Sequence, residues 1–495
     1  MIKKFSLLFY ILIFIIVSVF ISACHKDIIN DDPEIQLSFS LDTLRFDTVF
    51  TELGSTTKYF KIYNNLEQAV ILDEVMLDNN SRFFRLNVNG ESNSTVADVR
   101  IEANDSIYVF AEVTIDPDQP LSVSPFIIED EISIKANNSN YTIHLEAWGQ
   151  NANYIPDRFS KSKVNLISCD LGEWHWDDPR PYVIYGALLI DSCKVIIPEG
   201  QSIYVHGGIA INELGVYNDG LIAFLPNGSL VTNGTSELPV SFQTDRLEDE
   251  FSQVSGQWTG ILLTAGSKNN VLKHTSIKNS IVGISVDSSG ILRMESCEIA
   301  YTSGNGLVAS HASVYAQNCL FYQNLANGIS LNFGGAYLFN YCTVVNLDNQ
   351  LSAVSLNNLK CSDALCEGPI YVNPLFAEFN NCIVVGNEED EISLLDATDG
   401  TDPSAFNYTW NNCIISVREL IEPDAFPNFY DHCSKCINVD RLDSIFIDVD
   451  EFNFHLDTMS IAIDKGKKIP ALFIDFEGND RELETPDIGC YEFQK

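Results

Sequence analysis

Two markers in this chain recur with one period. Cys297, Cys319 and Cys342 lie 22 and 23 residues apart, each in a similar frame: Met294-Glu295-Ser296-Cys297, Ala316-Gln317-Asn318-Cys319, Phe339-Asn340-Tyr341-Cys342. Gly283-Ile284, Gly306-Leu307 and Gly328-Ile329 follow 23 and 22 apart. One step earlier the cysteine frame holds Leu272-Lys273-His274-Thr275, and after insertions it returns as Asn381-Cys382-Ile383-Val384 and Asn412-Cys413-Ile414-Ile415. Two independent markers in step define a structural repeat, and in a chain of 495 residues that favours a stacked architecture over a single ordinary core.

Within a unit the apolar positions step by two, as in Leu292 and Met294 or Cys297 and Ile299, but the phase slips between Met294 and Cys297. An alternating run is a strand and a slip of phase is a corner. Three short strands per unit, stacked on the next unit at about 4.8 Å, make a β-helix. A leucine-rich repeat of similar period requires a Leu-x-Leu frame with asparagine at fixed offsets, which is missing.

The segments Lys194-Val195-Ile196-Ile197-Pro198-Glu199-Gly200, Gly228-Ser229-Leu230-Val231-Thr232-Asn233-Gly234-Thr235 and Gln257-Trp258-Thr259-Gly260-Ile261 resemble the leading coils of right-handed parallel β-helix lipoproteins of Bacteroidetes. Ala462-Ile463-Asp464-Lys465-Gly466 and Asp487-Ile488-Gly489-Cys490-Tyr491-Glu492 resemble their closing segment. The resemblance implies a pectate-lyase-like coil over residues 155–455 and a closing segment over 456–495. It is silent on activity, because this fold carries lyases, glycosidases, esterases, adhesins and spacers.

Ahead of the coils, short alternating runs such as Lys58 to Tyr63, Ile107 to Val113 and Tyr141 to Trp148 alternate with turn signals such as Asn64-Asn65 and Asn137-Asn138. They predict a β-sandwich over 34–152. Its order of segments resembles immunoglobulin-like modules that precede larger domains, and the fold class is all-β throughout.

Lys3 and Lys4 followed by the apolar run Phe5 to Phe20 make an export signal over 1–23. Ile21-Ser22-Ala23-Cys24 resembles the bacterial lipobox, which implies acylation of Cys24 and a lipid bilayer as the first partner. The polar stretch 24–33 reads as a tether, and its Lys26-Asp27 pair resembles a signal for the outer face of the outer membrane. With 68 acidic against 29 basic residues and a net charge of −39, the chain lacks the clustered cations that nucleic acid requires.

Chemistry is harder to read. The repeat cysteines are expected as a stacked ladder in a dry core. Cys169 with Cys193 and Cys361 with Cys366 are plausible disulfides in an exported chain, although sequence alone leaves the pairing open. Cys433 and Cys436 have zinc-ligand spacing with no second pair after them. Lys273, His274 and Lys278, one coil before Arg293, are candidates for the base of a polysaccharide lyase, an activity that commonly uses calcium; Lys273 should lie near Glu295. No stack of paired aspartates, which a glycosidase needs, appears between 270 and 345. The acidic runs Glu388 to Glu391 and Asp396 to Asp402 read as solvated loops, and Trp174-His175-Trp176 as a cap on the open coil end. Thr43, Thr48, Ser106, Ser444 and Thr458 match a sequon resembling that of O-glycosylation in Bacteroides-type organisms. No cofactor is expected apart from calcium. The reading is a cell-surface module that binds glycan or a surface protein without catalysis, with a carbohydrate-active enzyme, a polysaccharide lyase above all, as the alternative.

Overall fold

A computed structural model describes residues 29–494 apart from 51–56, 79–82, 115–125, 158, 214, 348–350, 364–365, 423–424, 427, 441 and 443–444. The described residues fall into two units, the first ending at Asn151 and the second beginning at Ala152.

The first unit is a β-sandwich. One sheet orders Ser38–Phe39, Lys58–Asn64, Asp105–Val113, Phe84–Val88 and Glu91–Ser92; the other orders Thr43–Phe50, Ser139–Gln150, Phe126–Ala136, Val70–Leu77 and Thr95–Ile101. Alternation decides which side chains go in: Phe60 and Ile62 from one sheet meet Val70, Leu72 and Val75 from the other. The long strand Thr43–Phe50 pairs parallel to the final strand Ser139–Gln150 while the other pairings are antiparallel, so first and last strands close the immunoglobulin-like layer side by side. Asn64 is buried, and its amide donates to Gln68 O at 2.8 Å and Glu102 O at 2.9 Å, which fixes the turn that Asn64-Asn65 signals in sequence. Phe84–Val88, absent from the sequence reading, alternates inward Phe84, Leu86 and Val88 with Arg85 and Asn87.

The second unit is a parallel coil with three faces. The first face holds Leu221–Phe224, Gly260–Leu263, Ile284–Val286, the leading halves of Leu307–Gln317 and Ile329–Asn340, then Val354–Asn357 and Ile392–Leu395. The second face holds Ser229–Asn233, Asn270–Lys273, Ile291–Glu295, the trailing halves of the same two long strands, Leu375–Asn380, Phe406–Asn411 and Cys433–Ser434. The third face is an eleven-stranded parallel sheet from Asn153–Ile155 to Ile437–Asn438.

The slip of phase before each cysteine is the corner between the second and third faces. It is turned by a single residue in the left-handed region: His274 (φ 39°), Ser296 (50°), Asn318 (52°), Tyr341 (52°), Asn381 (53°), Asn412 (53°) and Lys435 (57°). Asparagine tolerates that conformation better than other non-glycine residues. The next side chain then points inward and donates back across the corner, as Cys319 Sγ does to Gln317 O at 3.3 Å and Cys413 Sγ to Asn411 O at 3.4 Å. Thr275 Oγ1 does the same to Lys273 O at 2.9 Å, so this position requires a small inward donor. The repeat glycines have a steric reason, since a Cβ on Gly306 would come within 2.7 Å of the Gly328 carbonyl oxygen in the next coil.

Because the corners coincide, inward side chains stack in rows. Leu272, Met294, Ala316, Phe339, Phe379 and Trp410 form one row in strict register. The Phe339 and Phe379 rings lie 4.8 Å apart and 7° from parallel, those of Phe379 and Trp410 4.0 Å apart and 12° from parallel. Cys297, Cys319, Cys342, Cys382 and Cys413 are buried free thiols beside that row, the expected ladder. At the open end Trp176 is buried and stacks on Tyr182 at 5.2 Å, with Trp174 packed against the same core, which is the capping role read from the sequence. Cys169–Cys193 and Cys361–Cys366 are disulfides.

The coils, expected to run to 455, end at Ile437–Asn438. The antiparallel pair Phe446–Asp448 and Asn453–Leu456 and the chain after it instead cover the third face. Ala300, Leu320, Tyr322, Val345, Ile383, Val385 and Ile414 point outward there, yet are buried against Ile445, Phe446, Phe454, Leu456, Ile488 and Cys490. The corner residues hold this segment down: Asn318, Asn381 and Asn412 amides donate to Ile474 O (3.0 Å), Lys467 O (2.7 Å) and Lys465 O (2.9 Å). Arg481, 4% exposed, pairs with Glu492 at 3.1 Å, donates to Asn318 Oδ1 at 3.0 Å and lies over the Tyr341 ring.

The acidic runs are solvated at Glu389, Asp399 and Asp402, but not at every carboxylate. Glu391 is fully buried, and its carboxylate accepts from the backbone N–H groups of Ala353 and Glu388, both at 2.8 Å; a Cβ on Gly386 would collide with it. Asp390 accepts from the backbone N–H groups of Arg418 and Leu420, and Asp396 from those of Thr398 and Gly400, so these carboxylates organise loops rather than face solvent. Burial pushes the Glu391 carboxyl up to about 7, against the downward pull of its donors.

Two outcomes follow. Arg481→Ala leaves Glu492 buried without its cation and should cost about 3–5 kcal/mol, read by urea denaturation, with dye binding to the uncovered third face. Glu391 binds its proton more tightly folded than unfolded, so its contribution is complete below the ordinary carboxylate pKa and fades as pH rises toward 7, by on the order of 3 kcal/mol. Stability measured from pH 4.5 to 8 should therefore fall less steeply in Glu391→Gln than in the parent chain, and equal slopes would refute the assignment.

Candidate functional site: the outer second face

With the third face covered, the second face presents its outward residues in three parallel rows. Ile291, Ser313, Ala336, Phe376 and Asn407 form the first row, and Arg293, Tyr315, Leu338, Glu378 and Thr409 the second. Glu295, Gln317, Asn340, Asn380 and Asn411 form the third, one side chain per coil in register with the next. A trough of about 500 Å³ runs along the first two rows, from Ile291 to Thr409.

From Gln317 on, the third row is an amide ladder in which Asn340 is buried and Gln317, Asn380 and Asn411 are half-buried. Asn411 Nδ2 donates to Asn380 Oδ1 at 3.0 Å, and Asn380 Nδ2 to Asn340 Oδ1 at 3.0 Å. Asn380 Nδ2 also reaches Glu378 Oε1 at 3.0 Å, and Tyr315 OH donates to Gln317 Oε1 at 2.7 Å. These bonds fix the side chains before any ligand arrives, which lowers the ordering cost of binding. Beside the ladder Tyr315 and Leu338 are half-buried and Phe376 is 52% exposed, an apolar floor within a polar frame. At the corner between first and second faces the His311 and Phe333 rings, on two left-handed residues, meet at 5.6 Å and 50° from parallel, and Lys360 lies over the Phe333 ring.

The lyase candidates do not converge. Lys273 ends a strand of the second face and pairs with Glu295 at 3.6 Å, the proximity expected from one coil of separation. Lys278 lies on the third face and pairs with Glu298 at 2.9 Å. His274 turns the corner between them, and burial holds its imidazole below the usual range. Arg293 alone of the four lines the trough. Glu378 is the only carboxylate among the described residues lining it, so the two carboxyl groups of glycoside hydrolysis are not assembled there.

Cys433 and Cys436 pack against the end of the core, and among the described residues no three His, Cys, Asp or Glu side chains gather as metal ligands. Cys24 and Ser444 lie outside the described residues, as does the Thr48 side chain on its strand. Thr43 and Ser106 are half-exposed on strands of the sandwich, and Thr458 is exposed.

Sequence reasoning missed the ladder although its signal was in view. The residue two before Cys319, Cys342, Cys382 and Cys413 is Gln317, Asn340, Asn380 and Asn411, and one amide of each Asn-Asn pair turns the corner while the other belongs to the row.

A family model for the right-handed β-helix region matches residues 240–363. A search of curated proteins finds no match. Among solved structures, the catalytic unit of a thermostable GH87 α-1,3-glucanase from Streptomyces thermodiastaticus aligns at 12% identity and TM-score 0.27, covering 72% of this chain and 74% of that one. A family 123 glycoside hydrolase from Clostridium perfringens aligns at 8% identity and TM-score 0.17, over 37% of this chain and 44% of its own length. A PapD-like domain of human CEP192 aligns at 9% identity and TM-score 0.17, over 25% of this chain and 89% of that domain. The register of the strands and the family match together make the coil a right-handed parallel β-helix, which follows the β-sandwich in the chain.

Proposed function

We propose that the chain is a lipid-anchored surface protein that binds glycan, without cleaving it, along the outer second face of its β-helix. The observation that carries the reading is the in-register ladder of Gln317, Asn340, Asn380 and Asn411 beside Tyr315, Leu338 and Phe376. The half-buried amides of Gln317, Asn380 and Asn411, backed by buried Asn340, supply donors and acceptors for sugar hydroxyls, and the exposed Phe376 ring supplies flat apolar area for the less polar sugar faces. The coil spacing of about 4.8 Å repeats this pair of contacts along the axis, which suits an extended polymer. A single carboxylate and one cation in the trough argue against hydrolysis and lyase chemistry there. Acylated Cys24 would tether the protein to the outer membrane, with the acidic stretch after it and the sandwich holding the β-helix off the bilayer.

The test is a glycan array together with a polysaccharide-degradation assay on protein starting at His25, with and without calcium. Binding without release of sugar fragments is expected. Phe376→Ala, at an exposed position, should weaken binding about tenfold, or ~1.4 kcal/mol, at unchanged melting temperature. Release of unsaturated fragments would replace this reading with the lyase.

A further inference from the structure

The last coil breaks the pattern of the inward row at one position. In five successive coils the inward residue three before the corner thiol is Met294, Ala316, Phe339, Phe379 or Trp410. In the final coil that place, opposite Trp410, is taken by Cys433. Lys435 then turns the same left-handed corner at φ 57° and Cys436 follows as the last rung, its thiol 3.3 Å from Trp410 O. The corner that sets Phe379 beside Cys382 here sets one thiol beside another, and the two are in hydrogen-bond contact.

Their surroundings differ from those of the other rungs. Cys297 through Cys413 are buried, whereas Cys433 and Cys436 are half-buried in the last coil. Neighbouring ladder thiols also touch, but water, base and oxidant do not reach them, and burial pushes Cys319 and Cys342 well above the usual thiol range. Two disulfides elsewhere, Cys169–Cys193 and Cys361–Cys366, fit folding where thiols are oxidised.

We propose that Cys433 and Cys436 form a third disulfide, an accessible and reversible one, that staples the final coil at its corner. The oxidant is an organic disulfide. One sulfur of the pair, deprotonated, attacks one sulfur of the donor and expels the other as a thiolate. Its neighbour, deprotonated in turn, attacks it in the mixed disulfide and expels the second donor thiolate. Two protons leave the protein, two electrons pass to the donor, and one disulfide becomes two thiols.

The full chain is incubated with oxidised glutathione until Cys361–Cys366 is bonded, unfolded without reductant, alkylated with iodoacetamide and analysed as peptides. The peptide holding Cys433 and Cys436 should be unlabelled and two hydrogens lighter than its reduced form, gaining two labels only after reduction. Brief reduction of the folded protein should expose these two to alkylation while Cys319 and Cys342 stay unlabelled, and should speed amide exchange over residues 433–438. In Cys433→Ser no bond within the pair can form, so Cys436 should carry either the label or a glutathione that reduction releases. Alkylation of both cysteines in the parent chain while Cys361–Cys366 is bonded, or linkage of either to another cysteine, overturns the proposal.

Discussion

The corner between the second and third faces is the constraint on which the rest of the β-helix depends. A left-handed residue reverses the inward-outward phase of the chain, and the small donor after it points into the core and bonds back to the carbonyl two residues before. That same carbonyl also accepts from the preceding coil, as Gln317 O does from Ser296 N and Asn411 O from Asn381 N. One atom thus ties the turn of its own coil to the position of the coil before it. A one-residue slip would send the following strand inside out, so the corner fixes register for a stack whose faces are otherwise flat and repetitive.

Three consequences issue from that register. Inside, Phe339, Phe379 and Trp410 fall over one another and stack nearly parallel. On the second face, amides two before the later thiols fall into a ladder, in which Asn340, Asn380 and Asn411 bond to one another. At the corner itself the left-handed asparagines point their amides sideways, onto the backbone of the segment that closes the third face. A mutation at a corner would therefore be felt in the core, the trough and the closing segment together, because each is placed by the same few dihedral angles.

This explains what the sequence shows and what it hides. The period, the phase slip and the cysteine ladder are local, and they are legible because every coil repeats the same local solution. The amide ladder is also periodic, yet Asn380-Asn381 and Asn411-Asn412 present two identical residues of which only the backbone angle says which turns and which faces out. Glu391 reads as part of a solvated run because composition carries no sign of the donors at Ala353 and Glu388 that take it inside. The closing segment is recognisable at Asp487 to Glu492, but its start is not. The coil ends where Ile437–Asn438 finds no further parallel partner and the antiparallel pair begins, an event set by contacts more than a hundred residues apart in sequence, such as Cys490 N on Thr343 Oγ1.

The closing segment also decides which surface is free to bind. Strands of the third face carry Leu320, Tyr322, Val345 and Ile383 outward, a run that left bare would be a continuous apolar patch and an invitation to association. Covering it needs a partner that is polar on its far side and apolar on its near side. The chain supplies one from its own end, held at its middle by Arg481, which meets Glu492, Asn318 and the carbonyls of Gly489 and Cys490 at once. A guanidinium with that many acceptors fits one position only, so the segment cannot slide along the face it covers. The second face needs no such cover, because its outward rows mix amides and hydroxyls with isolated rings, and a surface of that composition stays open to solvent.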